Sequence, residues 1–175
     1  MPDVLLVTDN AAVLGEAQDL TAAGADPNPY AGMLTAEGMT RAERWDDPSP
    51  ALARCIEIYE EATGEEIVHP RDIAPGPDGK KAEIAIAVED FCGELEMFRQ
   101  IAEKAGPDLT NDTWVEAVNG FGEIELVTTP QASLCEGKYA AADDARLVEF
   151  DPSIGESGDW KPLGEIIDAS GGRCT

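Results

Sequence analysis

The chain has 175 residues, of which 43% are hydrophobic, and its acidic residues outnumber the basic ones 36 to 12. This apolar fraction is typical of a folded protein, either one domain with a core or a piece of something larger. The net charge of -24 argues against nucleic acid as a partner and against an anionic membrane surface, because both are bound through Lys and Arg. Every apolar run is far shorter than the ~18 residues that cross a bilayer, so we expect no direct membrane insertion.

The N-terminal region has the pattern of a strand, a helix and a second strand. The continuous apolar run Val4–Val7 is typical of a strand buried on both faces of a parallel sheet. A helix is predicted over residues 11–23, ended by Gly24, and a second strand over residues 30–39. This order predicts an α/β fold.

Polar side chains follow both predicted strands. Thr8 and Asp9 come directly after the first strand, and Glu37 lies at the end of the second. Because ligands in open α/β sheets bind outside the carboxyl ends of the strands, Asp9 and Glu37 are the candidate ligand-binding residues from this pattern. Two ordinary alternatives remain open, since Asp9 is also placed to cap the following helix and Glu37 is also placed for a solvated turn.

The middle of the chain is predicted to be helical between irregular segments. Residues 41–47 are charged and read as irregular, whereas residues 48–63 have helical periodicity that Gly64 ends. Three prolines make residues 67–79 a turn-rich connection.

A long helix is predicted over residues 84–105, because its apolar residues recur at alternating spacings of four and three. Gly106 and Pro107 end it. The apolar stripe consists of Ile84, Val88, Phe91, Leu95, Phe98, Ala102 and Ala105. The residues predicted to point outward are Glu89, Asp90, Glu96, Arg99, Gln100 and Glu103.

Shorter elements are predicted after this helix. Thr110 opens a second helix that Gly120 closes, and strands are expected over residues 124–129 and 145–150. The Gly- and Ser-rich tail over residues 153–175 has two apolar side chains expected to anchor it, Trp160 and Leu163.

The four cysteines are even in number and widely spaced, and no C-x-x-C motif suggests zinc. We therefore expect two disulfides formed in an oxidising compartment, with buried free thiols as the alternative. Of the three possible connectivities we favour Cys55–Cys92 with Cys135–Cys174, in which each bridge closes a loop of about 40 residues. We expect no metal and no cofactor.

The region around the long helix resembles a known family. A Cys-bearing helix that ends in Ala105-Gly106, then Asp108-Leu109-Thr110, a helix with Trp114-Val115 and a Gly-bounded turn is similar to type I periplasmic binding proteins. These are the solute receptors of ABC transporters, here in the branch that binds branched-chain amino acids. The resemblance implies a doubly wound parallel sheet, of which this chain would be the C-terminal part of a two-lobed receptor.

The resemblance also divides the chain, residues 1–175, into parts of that receptor. Residues 3–40 would belong to the second lobe, residues 48–120 would be helices on the side of the first lobe, and residues 121–175 would be closing strands and tail. The N-terminal lobe would be missing, and the apolar stripe of the long helix would lose part of its cover.

The function that the resemblance implies is capture of a small polar ligand, such as an amino acid or amide, by hinge closure and its delivery to an ABC permease. Glu37 matches the family position that receives the ligand's ammonium group, and Thr8 and Asp9 match the first loop tip loosely. The location would be periplasmic or extracellular. Because Met1 leads straight into the first strand without a signal peptide, we expect an export signal upstream.

Two other functions stay open. One is an acidic cytosolic α/β enzyme with reduced cysteines that uses a carboxylate such as Asp9 as acid or base. His69 is the one histidine and no G-x-S-x-G motif accompanies it, so no hydrolase triad is indicated. The other is a sensory ligand-binding domain of the same fold.

Overall fold

A computed structural model describes residues 20–21, 23–26, 28–72, 84–138, 140–155, 158–170 and 174. These residues combine helices with two small antiparallel sheets, which agrees with an α/β protein in the coarse sense. The helices are α1 (Arg41–Asp46), α2 (Pro50–Thr63), α3 (Ile84–Ala87), α4 (Gly93–Ala105) and α5 (Asn111–Asn119). A π-helical turn, Val88–Cys92, joins α3 to α4, and single 3-10 turns occur at Asn28–Tyr30 and Pro70–Asp72.

The larger sheet has three strands, β1 (Leu34–Glu37), β4 (Asp144–Asp151) and β5 (Asp159–Asp168). Strand β4 lies in the middle, and both pairings are antiparallel. The smaller sheet pairs β2 (Gly122–Glu123) with β3 (Ser133–Leu134), also antiparallel. The strand predicted over residues 145–150 is thereby confirmed.

The predicted doubly wound parallel sheet is not found among the described strands. The strand predicted over residues 30–39 is shorter, and it pairs antiparallel with β4 instead of joining a parallel neighbour. The short connection from β4 to β5 also favours antiparallel pairing, because parallel neighbours need a crossover of a dozen or more residues. Residues 4–7 and 11–19 lie outside the described part of the chain.

Helix α1 corrects the prediction of an irregular segment over residues 41–47. Thr40 and Glu43 form a capping box, in which Thr40 accepts a hydrogen bond from the Glu43 backbone and Glu43 accepts one from the Thr40 backbone. This reciprocal cap satisfies two amide groups and starts the helix despite its charged sequence. The cap was readable in the sequence as a Thr followed three residues later by a Glu.

Helices α2 and α5 agree with prediction. Ser49 caps α2 and Pro50 occupies its first turn, while Gly64 ends it with a φ of 72°. A left-handed conformation at that position suits glycine, which has no Cβ to clash. Thr110 caps α5 and Gly120 closes it, as expected.

The helical rod, residues 84–105, is continuous as predicted, but the assignment of its faces is confirmed only in part, as at Val88, which is buried. Glu89 and Glu96 were expected to point to solvent, yet both are buried against arginine side chains. The residues Phe91, Leu95 and Phe98 are instead 69%, 67% and 50% exposed. Periodicity identifies an apolar stripe. It does not reveal that arginines on neighbouring helices form ion pairs with Glu89 and Glu96 and so allow these glutamates to be buried.

Residues 124–129 do not form the predicted strand. Their backbone is bonded by side chains: Gln100 bonds both the N–H and the C=O of Glu125, and Ser49 donates to the C=O of Leu126. The extended segment therefore needs no neighbouring strand to satisfy these groups.

Three apolar clusters form the core of the described residues. One lies between α2 and the rod around Leu52, one covers a face of the larger sheet around Phe150 and Trp160, and one lies between α4, α5 and the smaller sheet around Ile101. Trp160 anchors the tail as predicted, while Leu163 is 38% exposed and does not.

Both disulfides have the predicted connectivity. Cys55–Cys92 ties α2 to the π-helical turn, and Cys135–Cys174 ties the C-terminal end to the smaller sheet. Beside the second bridge, the buried Ser133 hydroxyl donates to Asp143 and accepts from the Cys174 backbone. Such bridges are typical of proteins from oxidising compartments such as the periplasm or the extracellular space.

Candidate functional site

A cluster of charged side chains lies where β1, α1, the rod and β4 meet. We call it the polar cluster, and its members are Glu37, Arg41, Glu43, Arg44, Glu89 and Arg146. The chain brings the first four together because the Thr40 cap starts α1 directly after β1. Glu89 arrives from the π-helical turn, and Arg146 is the cross-strand neighbour of Glu37.

Glu89 is the most enclosed member, with 1% of its surface exposed. Its two carboxylate oxygens accept four hydrogen bonds, from Arg41 Nε at 3.2 Å, Arg44 Nε at 3.3 Å, Arg44 Nη2 at 3.2 Å and Trp45 Nε1 at 2.7 Å. A buried carboxylate is tolerated when its lone pairs are satisfied in this way. All these donors lie on α1, so Glu89 fixes that helix against the rod.

Glu37 is much less well satisfied. Its Oε1 lies 3.5 Å from Arg44 Nη1, which also donates to the Met39 carbonyl, and its side chain is 20% exposed. Its Oε2 is buried and receives no hydrogen bond from any described residue. Burial raises the pKa of Glu37 above its ordinary value, and the nearby Arg44 only partly opposes this effect.

The β4 side of the cluster contains further unpaired groups. Arg146 is bound to Glu43 through Nη2, whereas its buried Nε has no described partner. Asp144 accepts from Thr129 through Oδ1, but its Oδ2 is likewise unpartnered among the described residues. Asp144 also packs on Gly38, where a Cβ would lie 2.6 Å from Oδ1, so a larger residue after Glu37 would require the Asp144 side chain to shift.

The capping glutamate behaves oppositely to Glu37. Burial acts to raise the pKa of Glu43, but hydrogen bonds from Thr40 and the contact with Arg146 outweigh it, and the pKa lies below its ordinary value. Glu43 is therefore held as an anion by the fold. Two carboxylates only six residues apart thus differ in their protonation behaviour because their partners differ.

A cavity of about 300 Å³ opens beside this cluster. Arg44, Met39 and Thr129 lie on its wall together with the Pro48–Pro50 segment. Arg44 and Thr129 link it to Glu37 and Asp144. A small polar molecule would meet hydrogen-bonding groups there.

The described residues contain no group of three or more His, Cys, Asp or Glu side chains arranged to hold a metal ion. None of the helices in the described ranges is long and apolar enough to cross a bilayer. The cluster offers carboxylate and guanidinium hydrogen bonding, with the incompletely paired Glu37 at its centre and the unpartnered Asp144 Oδ2 and Arg146 Nε on its β4 side.

Of the predicted site residues, Glu37 lies in this cluster, while Thr8 and Asp9 lie outside the described residues. Sequence reasoning missed Arg44, Glu89 and Arg146. Glu89 was predicted to face solvent. The only sequence feature that could have suggested its burial is its position three residues before the disulfide cysteine Cys92. His69 was expected on the surface, and it is half-buried next to Trp45 and Asp46.

Comparison of the chain with protein-family models, with curated proteins and with solved structures gave no match in any of the three.

Proposed function

We propose that the chain is part of an extracellular or periplasmic solute receptor, in which Glu37 binds the ammonium or hydroxyl donor of a small polar ligand. The observation that carries this proposal is the buried Glu37 Oε2, an acceptor without a described donor. An unpaired buried carboxylate is costly. A ligand that donates to it recovers that free energy on binding.

The charges around Glu37 favour a cationic group. Within the polar cluster, the three glutamates are matched by three arginines. Asp144, two residues before Arg146 on β4, adds a further carboxylate with an unpartnered oxygen. The unpartnered groups of this site are therefore two acceptors, Glu37 Oε2 and Asp144 Oδ2, and one donor, Arg146 Nε, which suits an amine or amide better than an acid.

The apolar outer face of the rod supports the idea of a companion lobe. We define this face by Phe91, Leu95 and Phe98, all of which are at least half exposed. Soluble proteins rarely leave such large apolar side chains together in water. A first lobe packed on this face would cover it, and the doubly wound parallel sheet implied by the resemblance would belong to the assembled receptor.

Transport through an ABC permease is the physiological role that we propose, with closure of two lobes around the ligand as the mechanism. Both disulfides are compatible with export. This role requires no cofactor, because the receptor binds and releases the solute without changing it chemically.

Isothermal titration calorimetry with a panel of amino acids, amides and amines tests the proposal. We expect at least one amine-bearing solute to bind, and Glu37→Gln to weaken its affinity about tenfold or more, since hydrogen bonds to charged groups contribute about 1.5–3 kcal/mol. Glu57→Gln, an exposed change on α2, is the matched control and should leave the affinity unchanged. Failure of every solute in the panel to bind, or equal affinity of both variants, would rule the proposal out.

A second candidate is an enzyme that uses Glu37 as a general acid or base. The raised pKa of Glu37, caused by burial, favours it, because such shifts are common at catalytic carboxylates. The two proposals differ in what happens to the solute. A receptor returns the bound solute unchanged after prolonged incubation, whereas an enzyme converts it, which mass spectrometry of the solution would detect.

A further inference from the structure

We infer that Glu89 is a positioning residue for Glu37: by holding Arg44, it prevents Arg44 from closing onto Glu37 and so keeps one Glu37 oxygen available. The importance of this role for ligand binding rests on the proposed function, in which Glu37 binds the ligand. The geometric relation between the two glutamates can be tested without any ligand.

The first step of the argument is how Arg44 divides its hydrogen bonds. Its Nε and Nη2 both donate to Glu89, at 3.3 Å and 3.2 Å, and its Nη1 donates to the Met39 carbonyl. Glu37 Oε1 lies 3.5 Å from the same Nη1, which is a long ion pair. The guanidinium fork, which fits a carboxylate best through two parallel bonds, is therefore turned to Glu89 and away from Glu37.

The second step is the position of Glu89 itself. It lies in the π-helical turn Val88–Cys92, which interrupts an otherwise α-helical rod. Turns of this kind occur frequently at functional sites, because the additional residue changes the direction of a side chain. Here the turn directs a glutamate inward, onto Arg41, Arg44 and Trp45 of α1.

The third step is the anchor of that turn. Its last residue, Cys92, is bonded to Cys55 of α2. Leu52 and Cys55 are both buried in the cluster between α2 and the rod, so the turn is fixed to a packed helix. The disulfide thereby fixes the position of the turn, and with it Glu89, against α2 and against Trp45 of α1, which packs in the same cluster.

Among the residues that the structure describes, the charged groups around Glu37 are Arg41 and Arg44 on α1, Glu89 on the rod, and Arg146 and the nearby Asp144 on β4. Neutralising Glu89 removes a negative charge near Glu37 and also releases Arg44 to pair with Glu37. Both changes favour the ionised form of Glu37 and act in the same direction.

The experiment is a pH titration of the Glu37 carboxyl carbon by NMR in the ligand-free protein. In Glu89→Gln, which keeps the size of the side chain, we expect Glu37 to titrate at lower pH than in the wild type. Glu96→Gln is the matched control, because Glu96 is also a buried carboxylate of the rod but binds Arg54 and Arg99 instead. It should destabilise the protein without moving the Glu37 titration.

A second experiment removes only the disulfide that fixes the π-helical turn to α2. Cys55→Ala/Cys92→Ala keeps every hydrogen-bonding group and should move the Glu37 titration in the same direction, to a smaller extent. Cys135→Ala/Cys174→Ala is its control, since that bridge lies beside Ser133 and outside the polar cluster. The second experiment decides the question if Glu89→Gln does not fold.

The inference is overturned if Glu37 titrates identically in the wild type and in the Glu89 variant, or if Glu96→Gln moves it equally. Where a binding solute has been found, Glu89→Gln should also weaken its affinity about tenfold, because Arg44 then competes for the carboxylate. A titration shift without any solute binding would sustain the positioning role of Glu89 and leave the proposed receptor function without support. The two failures are therefore distinguishable.

Discussion

The two sides of the helical rod depart from the usual pattern of an amphipathic helix at several positions. The inner side buries Glu89 and Glu96 beside the apolar Val88 and Ile101, while the outer side presents Phe91, Leu95 and Phe98 to solvent. In an ordinary surface helix the apolar stripe faces the core and the charges face water. The rod shows that partners decide which side is buried, because arginines on α1, α2 and the rod itself satisfy both glutamates.

The inner side of the rod connects it to helices α1 and α2. Glu89 connects the rod to α1, and Glu96 connects it to α2 through Arg54. The Cys55–Cys92 bridge lies between these two ion pairs along the rod. On the outer side Phe98 stacks on Trp114, but Phe91 and Leu95 are mostly exposed, so we expect this side to contribute more to assembly than to the stability of the chain by itself.

The largest effect is expected from breaking the inner side at Glu89. Glu89→Ala would leave Arg44 and the Trp45 indole buried without their acceptor, and we expect a loss of about 3–5 kcal/mol in the free energy of unfolding. Urea denaturation followed by circular dichroism measures this loss. The exposed Glu57→Ala on α2 should change the unfolding free energy by less than about 0.5 kcal/mol. A comparable loss in both variants would contradict the special position of Glu89.

A smaller effect is expected from pH at the second inner carboxylate. Hydrogen bonds from Arg99, with further help from Arg54 and against the effect of burial, hold the pKa of Glu96 below its unfolded value of 4.5. The unfolded chain therefore binds this proton first as pH falls, so the stabilisation from Glu96 is complete above pH 4.5 and is lost as pH drops through the folded pKa. We expect urea unfolding of Glu96→Gln to depend less steeply on pH below 4.5 than that of the wild type. Parallel pH profiles of the two proteins would refute this explanation.

The smallest effect on stability is expected from the outer side. Phe91→Ser and Leu95→Ser should change the unfolding free energy by no more than about 0.5 kcal/mol, because these side chains gain little burial. Both variants should bind less of a fluorescent hydrophobic dye than the wild type. Ile101→Ala, on a buried side of the same helix, is the matched contrast and should cost about 2–5 kcal/mol. Losses of that size at Phe91 or Leu95 would mean that the outer face is already packed.

Local signals in the sequence were sufficient for several elements. The spacing of apolar residues predicted the rod and β4, and the terminal signals predicted α5 with Thr110 as its cap. The even number and wide spacing of the cysteines predicted two disulfides, and the connectivity favoured among the three possible ones is confirmed. These features depend on interactions near in sequence or on a few chemically distinctive residues.

Features that depend on distant partners were predicted wrongly. Residues 124–129 were expected to be a strand, but Gln100 and Ser49 satisfy their backbone groups from other elements. β1 was expected in a parallel sheet, and its described neighbour is the antiparallel β4. Glu37 was singled out as a site residue, but nothing local indicated that Arg44 would be turned away from it by Glu89.

What the sequence determined by itself was therefore the inventory: an acidic α/β chain, a long helix with one apolar stripe, two cross-links and a glutamate at the end of a strand. Only the tertiary structure decided which side of that helix is buried and which oxygen of Glu37 is unpaired. The physical reason is that periodicity records the chemistry of each face, whereas burial depends on which groups the rest of the chain brings against it. In this protein those groups include guanidiniums, which pair with Glu89 and Glu96 on the buried side of the rod.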